Sequence, residues 1–241
     1  MIIFEVGGGK IRKYILFIFC MFFGLVISSQ HTSAQTIVSD EQLEQVRENF
    51  LQMGIDEETA SKLVEKVRNG ELLDSQKPDE LDKKREDLVV SLTDGKKYIE
   101  FSDGSRIEIS VSNSSPVVTA FDYATGTVSY NSCQSGSGYK NCTIKVRYYD
   151  GIWDIYFNAK ISLVQDGYDM ISSIYNQGVD AVLYTVVEKR FEIVQKVETS
   201  SVAAKADYTN QFTHKSGLYT LSRTLTLCVE NDNAYARLNY Y

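Results

Sequence analysis

The chain has 241 residues, of which 43% are hydrophobic and 24% charged, and a formal net charge of −7. An acidic chain lacks the basic footprint that nucleic-acid phosphates require, so nucleic acid is not expected as a partner. Its two histidines, His31 and His214, exclude most imidazole-rich metal centres, and the first lies in a segment read below as a leader.

Lys10, Arg12 and Lys13 precede an apolar run from Tyr14 to Ile27. The run is shorter than the roughly 20 residues of a spanning helix and suits the core of a signal peptide. Thr32-Ser33-Ala34 offers a peptidase site, so residues 1–34 are expected to be removed and the mature chain to begin near Gln35. Losing Glu5, Lys10, Arg12 and Lys13 takes the charge to −9 and leaves His214 as the only histidine. The expectation is a secreted, extracellular protein without a stable membrane anchor, because no second apolar stretch follows.

Residues 35–70 have helical spacing. Asp40 is placed to cap a helix with Leu43, Val46, Phe50 and Met53 on one face and Gly54 at its end. Asp56 caps a second, with Leu63, Val64 and Val67 as its apolar stripe and Asn69-Gly70 as its stop. Such a hairpin is too small to hold a core alone and must pack on the rest of the chain or on a partner. Residues 71–87, with Pro78 and the run Asp79 to Glu86, read as a charged linker carrying a short solvated helix.

From Leu88 the period becomes two. Tyr98–Phe101, the turn Ser102–Ser105 and Arg106–Val111 spell a β-hairpin with Ile107, Ile109 and Val111 on one face. Trp153, Ile155, Phe157, Ala159, Ile161 and Leu163 alternate with Asp154, Tyr156, Asn158, Lys160 and Ser162 along a long strand whose first set is core. Further strand-like runs lie near 117–121, 127–130, 143–149, 179–187, 191–197, 202–212, 218–229 and 234–241. The reading for 88–241 is an antiparallel β-sandwich, so the fold is mainly β behind a short α-helical hairpin, with a barrel as the alternative.

Cys133 and Cys142 bracket Gln-Ser-Gly-Ser-Gly-Tyr-Lys-Asn and are paired by spacing as a local disulfide, which stabilises by roughly 2–3 kcal/mol on the chain-entropy model. Cys228, within Leu225–Val229, is left as a buried hydrophobe. No Gly-x-Ser-x-Gly elbow exists, and His214 reads as an exposed turn residue, so catalytic residues are not assigned. Asp166 with Asp169, and Glu230 with Asp232, are the available carboxylate pairs. Each is first a turn sequence, then a weak calcium site on Asp166 and Asp169, then a glycosidase pair. No cofactor motif stands out, since Gly7-Gly8-Gly9-Lys10 precedes the apolar run of the export signal and follows no strand.

Tyrosines gather in the second half, and a tyrosine offers a stiff apolar plate with a polar tip suited to sugars or peptides. The candidate ligand-binding residues are Tyr139 and Lys140 in the cysteine loop and Tyr168 in the turn Gln165–Asp169.

Three stretches, Arg68–Ser75 with Pro78 downstream, Cys133–Cys142, and Asp166–Tyr175, together resemble a family of uncharacterised secreted proteins of Gram-positive bacteria, classed as a domain of unknown function. The resemblance implies export, the disulfide and a β-rich domain, and transfers no activity. The functional expectation is a non-enzymatic protein that binds a protein or a surface glycan. The alternative is a secreted effector or toxin-like protein with the helical part as a pro-segment, and a carboxylate glycosidase comes third.

Overall fold

The computed structural model describes residues 38–113 and 133–240, and the backbone of 118–122 and 127–130. The expected leader, residues 1–34, lies outside the described residues.

Helix α1 (Asp40–Gln52) starts one residue earlier than expected. Ser39 is the cap: its hydroxyl accepts from Gln42 N while the Gln42 side chain accepts from Ser39 N, a reciprocal box that places Asp40 inside the first turn. Helix α2 (Glu57–Arg68) is capped by Asp56 as expected, with Glu57 and Glu58 at its positive end and Lys66 and Arg68 at its negative one. Gly54 and Gly70 take the left-handed conformations that end the two helices.

The expected linker is not a free tether. It forms a 3₁₀ turn (Asp74–Gln76) and helix α3 (Pro78–Lys83), and Leu73 and Leu81 have no solvent exposure. Asp103 accepts from Lys66 Nζ and from Asp74 N, both at 3.0 Å, and Ser75 N donates to Ser105 Oγ at 3.0 Å. Hydrogen bonds from this segment's backbone and to the Asp74 carboxylate tie it to the turn Ser102–Ser105 and let it be buried, which composition alone does not register. The acids and bases of α3 itself stay at the surface in short-range pairs.

Thirteen strands follow: β1 (Val89–Ser91), β2 (Lys96–Glu100), β3 (Arg106–Asn113), β4 (Val118–Asp122), β5 (Thr127–Tyr130), β6 (Cys133–Gly136), β7 (Tyr139–Tyr149), β8 (Trp153–Val164), β9 (Met170–Ala181), β10 (Tyr184–Gln195), β11 (Ala204–His214), β12 (Thr220–Glu230) and β13 (Asn233–Tyr240). A five-stranded sheet runs β1-β13-β12-β11-β10 and a six-stranded one β2-β3-β7-β8-β9 with β6 also on β7, all antiparallel. They pack as a β-sandwich. Trp153 on β8 stacks on Phe212 of β11 at 4.4 Å between centroids, and Phe157 meets Tyr208 edge-on at 6.3 Å. A single bridge, Met170 to Val197, brings the two sheets' edges together at one corner without closing a barrel.

Helices and sheets share one core within the unit Val38–Tyr241. Gly151, at φ +86°, lies so close under Phe50 that a Cβ there would approach the ring to 2.6 Å, and its carbonyl accepts from Asn49 Nδ2 at 2.8 Å. Arg106 reaches back to Gly54 O at 2.8 Å.

On one edge of β7, Asn113 pairs with Ile144 and Cys133 with Cys142. Strand β6 therefore resumes the line that β3 leaves, with only Thr143 between, and the chain carrying the two-stranded ribbon β4–β5 departs from and rejoins that edge. The disulfide Cys133–Cys142 locks the rejoining strand to β7, across a cross-strand pair with Cα atoms 4.1 Å apart.

Candidate functional site

Alternation in the six-stranded sheet sends one half of each strand into the core and the other half outward. The outward set comprises Lys96 and Tyr98 of β2, Glu108 and Ser110 of β3, Thr143, Lys145, Arg147 and Tyr149 of β7, and Asp154, Tyr156, Asn158 and Lys160 of β8. Register places Glu108 beside Tyr98 and Tyr149, and Arg147 beside Ser110 and Tyr156.

Charges on this face are arranged as a chain. Lys96 Nζ lies 3.1 Å from Glu108, Arg147 lies 3.4 Å from the same carboxylate, and Arg147 Nε and Nη2 hold Asp154 in a two-pronged contact at 2.7 and 2.8 Å. Glu108 is only 5% exposed although it points away from the core, because its neighbours close over it. The Asp154 hydrogen bond raises the Arg147 pKa, and the Glu108 hydrogen bond raises that of Lys96, so both cations stay charged. Tyr149 is pushed up to about 12 by burial and by the charge of Asp150, and stays a neutral phenol.

Each aromatic plate carries a cation. Lys145 Nζ sits 4.0 Å from the Tyr156 ring centroid, the Arg147 guanidinium 4.6 Å from Tyr149, and Lys96 5.4 Å from Tyr98. Tyr156 lies flat because its neighbour is Gly178, where a Cβ would come within 2.4 Å of the ring. An open groove of about 720 Å³ runs between Asp94, Lys96, Glu108, Ser112, Lys145 and Asp154. A smaller recess of about 350 Å³, lined by Gln134, Asn141, Thr143, Lys160, Ser162 and Ser172, is formed by the same sheet beside the disulfide.

The residues singled out in the sequence lie elsewhere. Tyr139 is 48% exposed at the tip of the β6–β7 hairpin, with its ring over Gly136, and Lys140 follows it. Gln165 N donates to Gly138 O at 2.9 Å, so the hairpin tip neighbours the turn that carries Tyr168, which is 57% exposed. Asp166, at φ +56°, is exposed in that turn, whereas Asp169 is buried. The two oxygens of Asp169 accept from Val164 N at 2.7 Å and Asp232 N at 2.8 Å, and Glu198 accepts from Asp169 N and Asn231 N. Burial raises the Asp169 pKa against those bonds. The two carboxylate pairs of the sequence thus meet in neighbouring turns through Asp169 and the Asp232 backbone, with the oxygens of Asp169 taken by backbone donors and Glu230 accepting from Tyr235 OH. Among the described residues no group of three His, Cys, Asp or Glu is gathered for a metal.

His214 is not exposed. It ends β11 at 3% exposure, stacked on Tyr219 at 5.2 Å with Nδ1 2.6 Å from Ser216 Oγ, and burial lowers its pKa. Ser216 and Tyr219 stand in the turn before β12, and Tyr184 of β10 meets the ring edge-on at 5.2 Å, a partner that the local sequence does not show. Tyr148 and Tyr208 are core residues. Cys228 is a buried free thiol, as expected, with its pKa raised by burial.

Polar groups also lie inside the sandwich, Arg223 and, opposite it on β11, Asn210 among them. Arg223 has no exposure; its Nη2 donates to Gln76 O at 2.7 Å and its guanidinium rests 5.1 Å from the Trp153 ring. Facing it, Tyr148 OH donates to Asp150, whose other oxygen accepts from Ile152 N and Trp153 N. Asp150 is raised by burial and the Tyr148 phenol is raised by burial and by Asp150. This set ties the 3₁₀ turn to both sheets and touches no solvent.

Among the described residues no helix is long and apolar enough to cross a membrane. No protein-family model matches the chain, and no curated protein does. Among solved structures, the chain is similar to the crystal structure of the hypothetical protein lmo2686 from Listeria monocytogenes EGD-e, at 22% identity over 62% of this chain and all of that one, with a TM-score of 0.33.

Proposed function

We propose that this chain is a secreted, non-enzymatic binding protein, of the family of uncharacterised Gram-positive proteins it resembles, and that it engages a surface glycan through the outer face of its six-stranded sheet. The observation that carries the reading is the co-location of three cation–aromatic pairs with an open polar groove on that face. Tyrosine plates suit the apolar faces of sugar rings, and amide, hydroxyl and charged groups between them suit hydroxyls. The face is open and shallow, which fits a polymer lying across strands better than an enclosed small molecule. The burial of Phe50, Leu63 and Leu73 in the common core counts against the helical part as a detachable pro-segment.

The test is a pull-down of wall fractions and host glycans with residues 38–241, beside a Tyr98→Ala, Tyr149→Ala, Tyr156→Ala variant whose melting curve matches the parent. Retention by the parent and loss by the variant is the expected result. Equal retention by both would move the site off this face, and the exposed Tyr139 and Tyr168 would be the next pair to change.

A further inference from the structure

We infer that the ligand of this face is an anionic glycan, one carrying uronate, sulfate or phosphodiester groups, and that Lys145 and Lys160 read its charge. The inference rests on the binding reading above and names the class of polymer that the face selects. Among the described residues, the ion pairs of the outer face join Lys96 and Arg147 to Glu108, Arg147 to Asp154, and Arg106 to Glu100. Those acids consume the cations nearest them. Lys145 and Lys160 enter no ion pair there, in a chain whose formal charge is −7.

Register makes the two amines neighbours. Lys145 lies opposite Asn158 and Lys160 opposite Thr143 on the paired strands β7 and β8, a diagonal relation that sets such positions about 7–8 Å apart. Lys145 lines the groove and Lys160 the recess beside the disulfide, so the pair stands where the two depressions adjoin. Lys145 is held over Tyr156, which fixes its ammonium on the face of an aromatic plate rather than leaving it to wander. Around Lys160 the lining is uncharged and hydrogen-bonding: Gln134, Asn141, Thr143, Ser162 and Ser172. Ammonium groups beside an aromatic plate, with amides and hydroxyls around Lys160 and with the groove's Glu108 and Asp154 already paired to Lys96 and Arg147, suit a charged sugar unit. A single exposed charge contributes little on its own, so the arrangement favours a polymer that presents charges repeatedly over a small free anion.

The experiment is titration calorimetry of residues 38–241 at low and physiological salt against four probes: dextran, dextran sulfate, a polyuronate and poly(glycerol phosphate), with poly-glutamate as a fifth. The same probes are applied to Lys145→Ala/Lys160→Ala, to Lys145→Arg/Lys160→Arg and to Tyr156→Ala, all with melting temperatures checked. Expected are binding of at least one anionic glycan about tenfold or more tighter than dextran at low salt, weakening as salt rises, loss of about tenfold in the alanine pair and retention in the arginine pair. Tyr156→Ala is expected to weaken charged and neutral glycans alike. Which anionic arm binds distinguishes the sulfate, uronate and phosphate sources. Dextran bound as tightly as the charged polymers, with the alanine pair unaffected, would overturn the inference and leave the glycan reading standing. Binding of poly-glutamate with equal affinity and the same lysine dependence would overturn it in favour of an acidic peptide. No binding to any probe would overturn both readings.

Discussion

The two faces of the six-stranded sheet are built by the same strands and obey different rules. Inward, Ile107, Ile109, Val111, Ile144, Val146, Tyr148, Trp153, Ile155, Phe157 and Ala159 are fully buried, and only Tyr148 and Trp153 bring a polar atom. Outward, between the same residues, stand Glu108, Lys145, Arg147, Asp154 and Tyr156, joined by ion pairs and cation–aromatic contacts. The inner code is one of volume, because a close-packed interior registers every missing methylene. The outer code is one of charge and register, because what matters is which side chain lies opposite which. The fold depends on the first, and the proposed function on the second.

The comparison predicts a steep gradient in the effect of substitutions. Trp153→Ala removes the residue that stacks on Phe212 and meets Tyr184 edge-on at 5.0 Å, and should cost about 3–5 kcal/mol in urea unfolding followed by circular dichroism. Arg223→Met keeps most of the volume but leaves Asp150 and Gln76 O facing an apolar chain. A cost of about 3 kcal/mol or more is expected, in line with removal of one member of a buried charged set. A neutral or stabilising result there would show that the inner face tolerates a purely apolar filling and that Arg223 serves no structural need. Glu108→Gln, on the outer face, should cost only about 1–2 kcal/mol, since it loses the partners Lys96 and Arg147 but disturbs no packing. Its cost should shrink as salt is added, whereas that of Trp153→Ala should not.

How much of this could be read beforehand follows from the same distinction. Strands β3 and β8 were legible because period two runs through them without interruption, so Ile107 to Val111 and Trp153 to Leu163 declared their faces. Strand β9 was not. It is an edge strand whose Ser172, Ser173, Asn176 and Gln177 dilute the apolar signal, and a bulge with Asn176 at φ +52° breaks the alternation. The turn after it, at Leu183 with φ +71°, lacks the glycine or asparagine that ordinarily marks such a place, so the end of β9 and the start of β10 merged into one expected strand over 179–187. In residues 71–87 the charges were visible but the anchoring of Leu73 and Leu81 was not, because it depends on Asp103 and Ser105 in a turn about thirty residues away. The outer-face residues were readable one by one as the polar half of the alternation. The chain from Lys96 through Glu108 and Arg147 to Asp154 was hidden, because it exists only once three strand registers are set.

The smallest effects belong to carboxylates that serve neither face but sit buried in the turns at the sheet's ends, and here the comparison takes a sign. Burial works against the Asp103 charge, yet hydrogen bonds from Ser105, from Asp74 N and from Lys66 outweigh it and hold the carboxyl below its ordinary range. A depressed acid stabilises the fold fully above its unfolded pKa, near 4, and that contribution is lost as pH falls through the lower folded value. Asp169 is raised, mainly by burial and further by Glu198 and Asp232, so the folded state binds its proton more readily than the unfolded one does. Its contribution has the opposite slope: it is largest in acid and declines as pH rises from the unfolded value through the raised folded one. Asp103→Asn should therefore flatten the acid limb of the stability curve, and Asp169→Asn should steepen it, in urea midpoints taken from pH 3 to pH 7. The same direction of change in both variants would mean that the turn at Asp169 is held by its charge, as the turn at Asp103 is, and that burial does not govern its protonation.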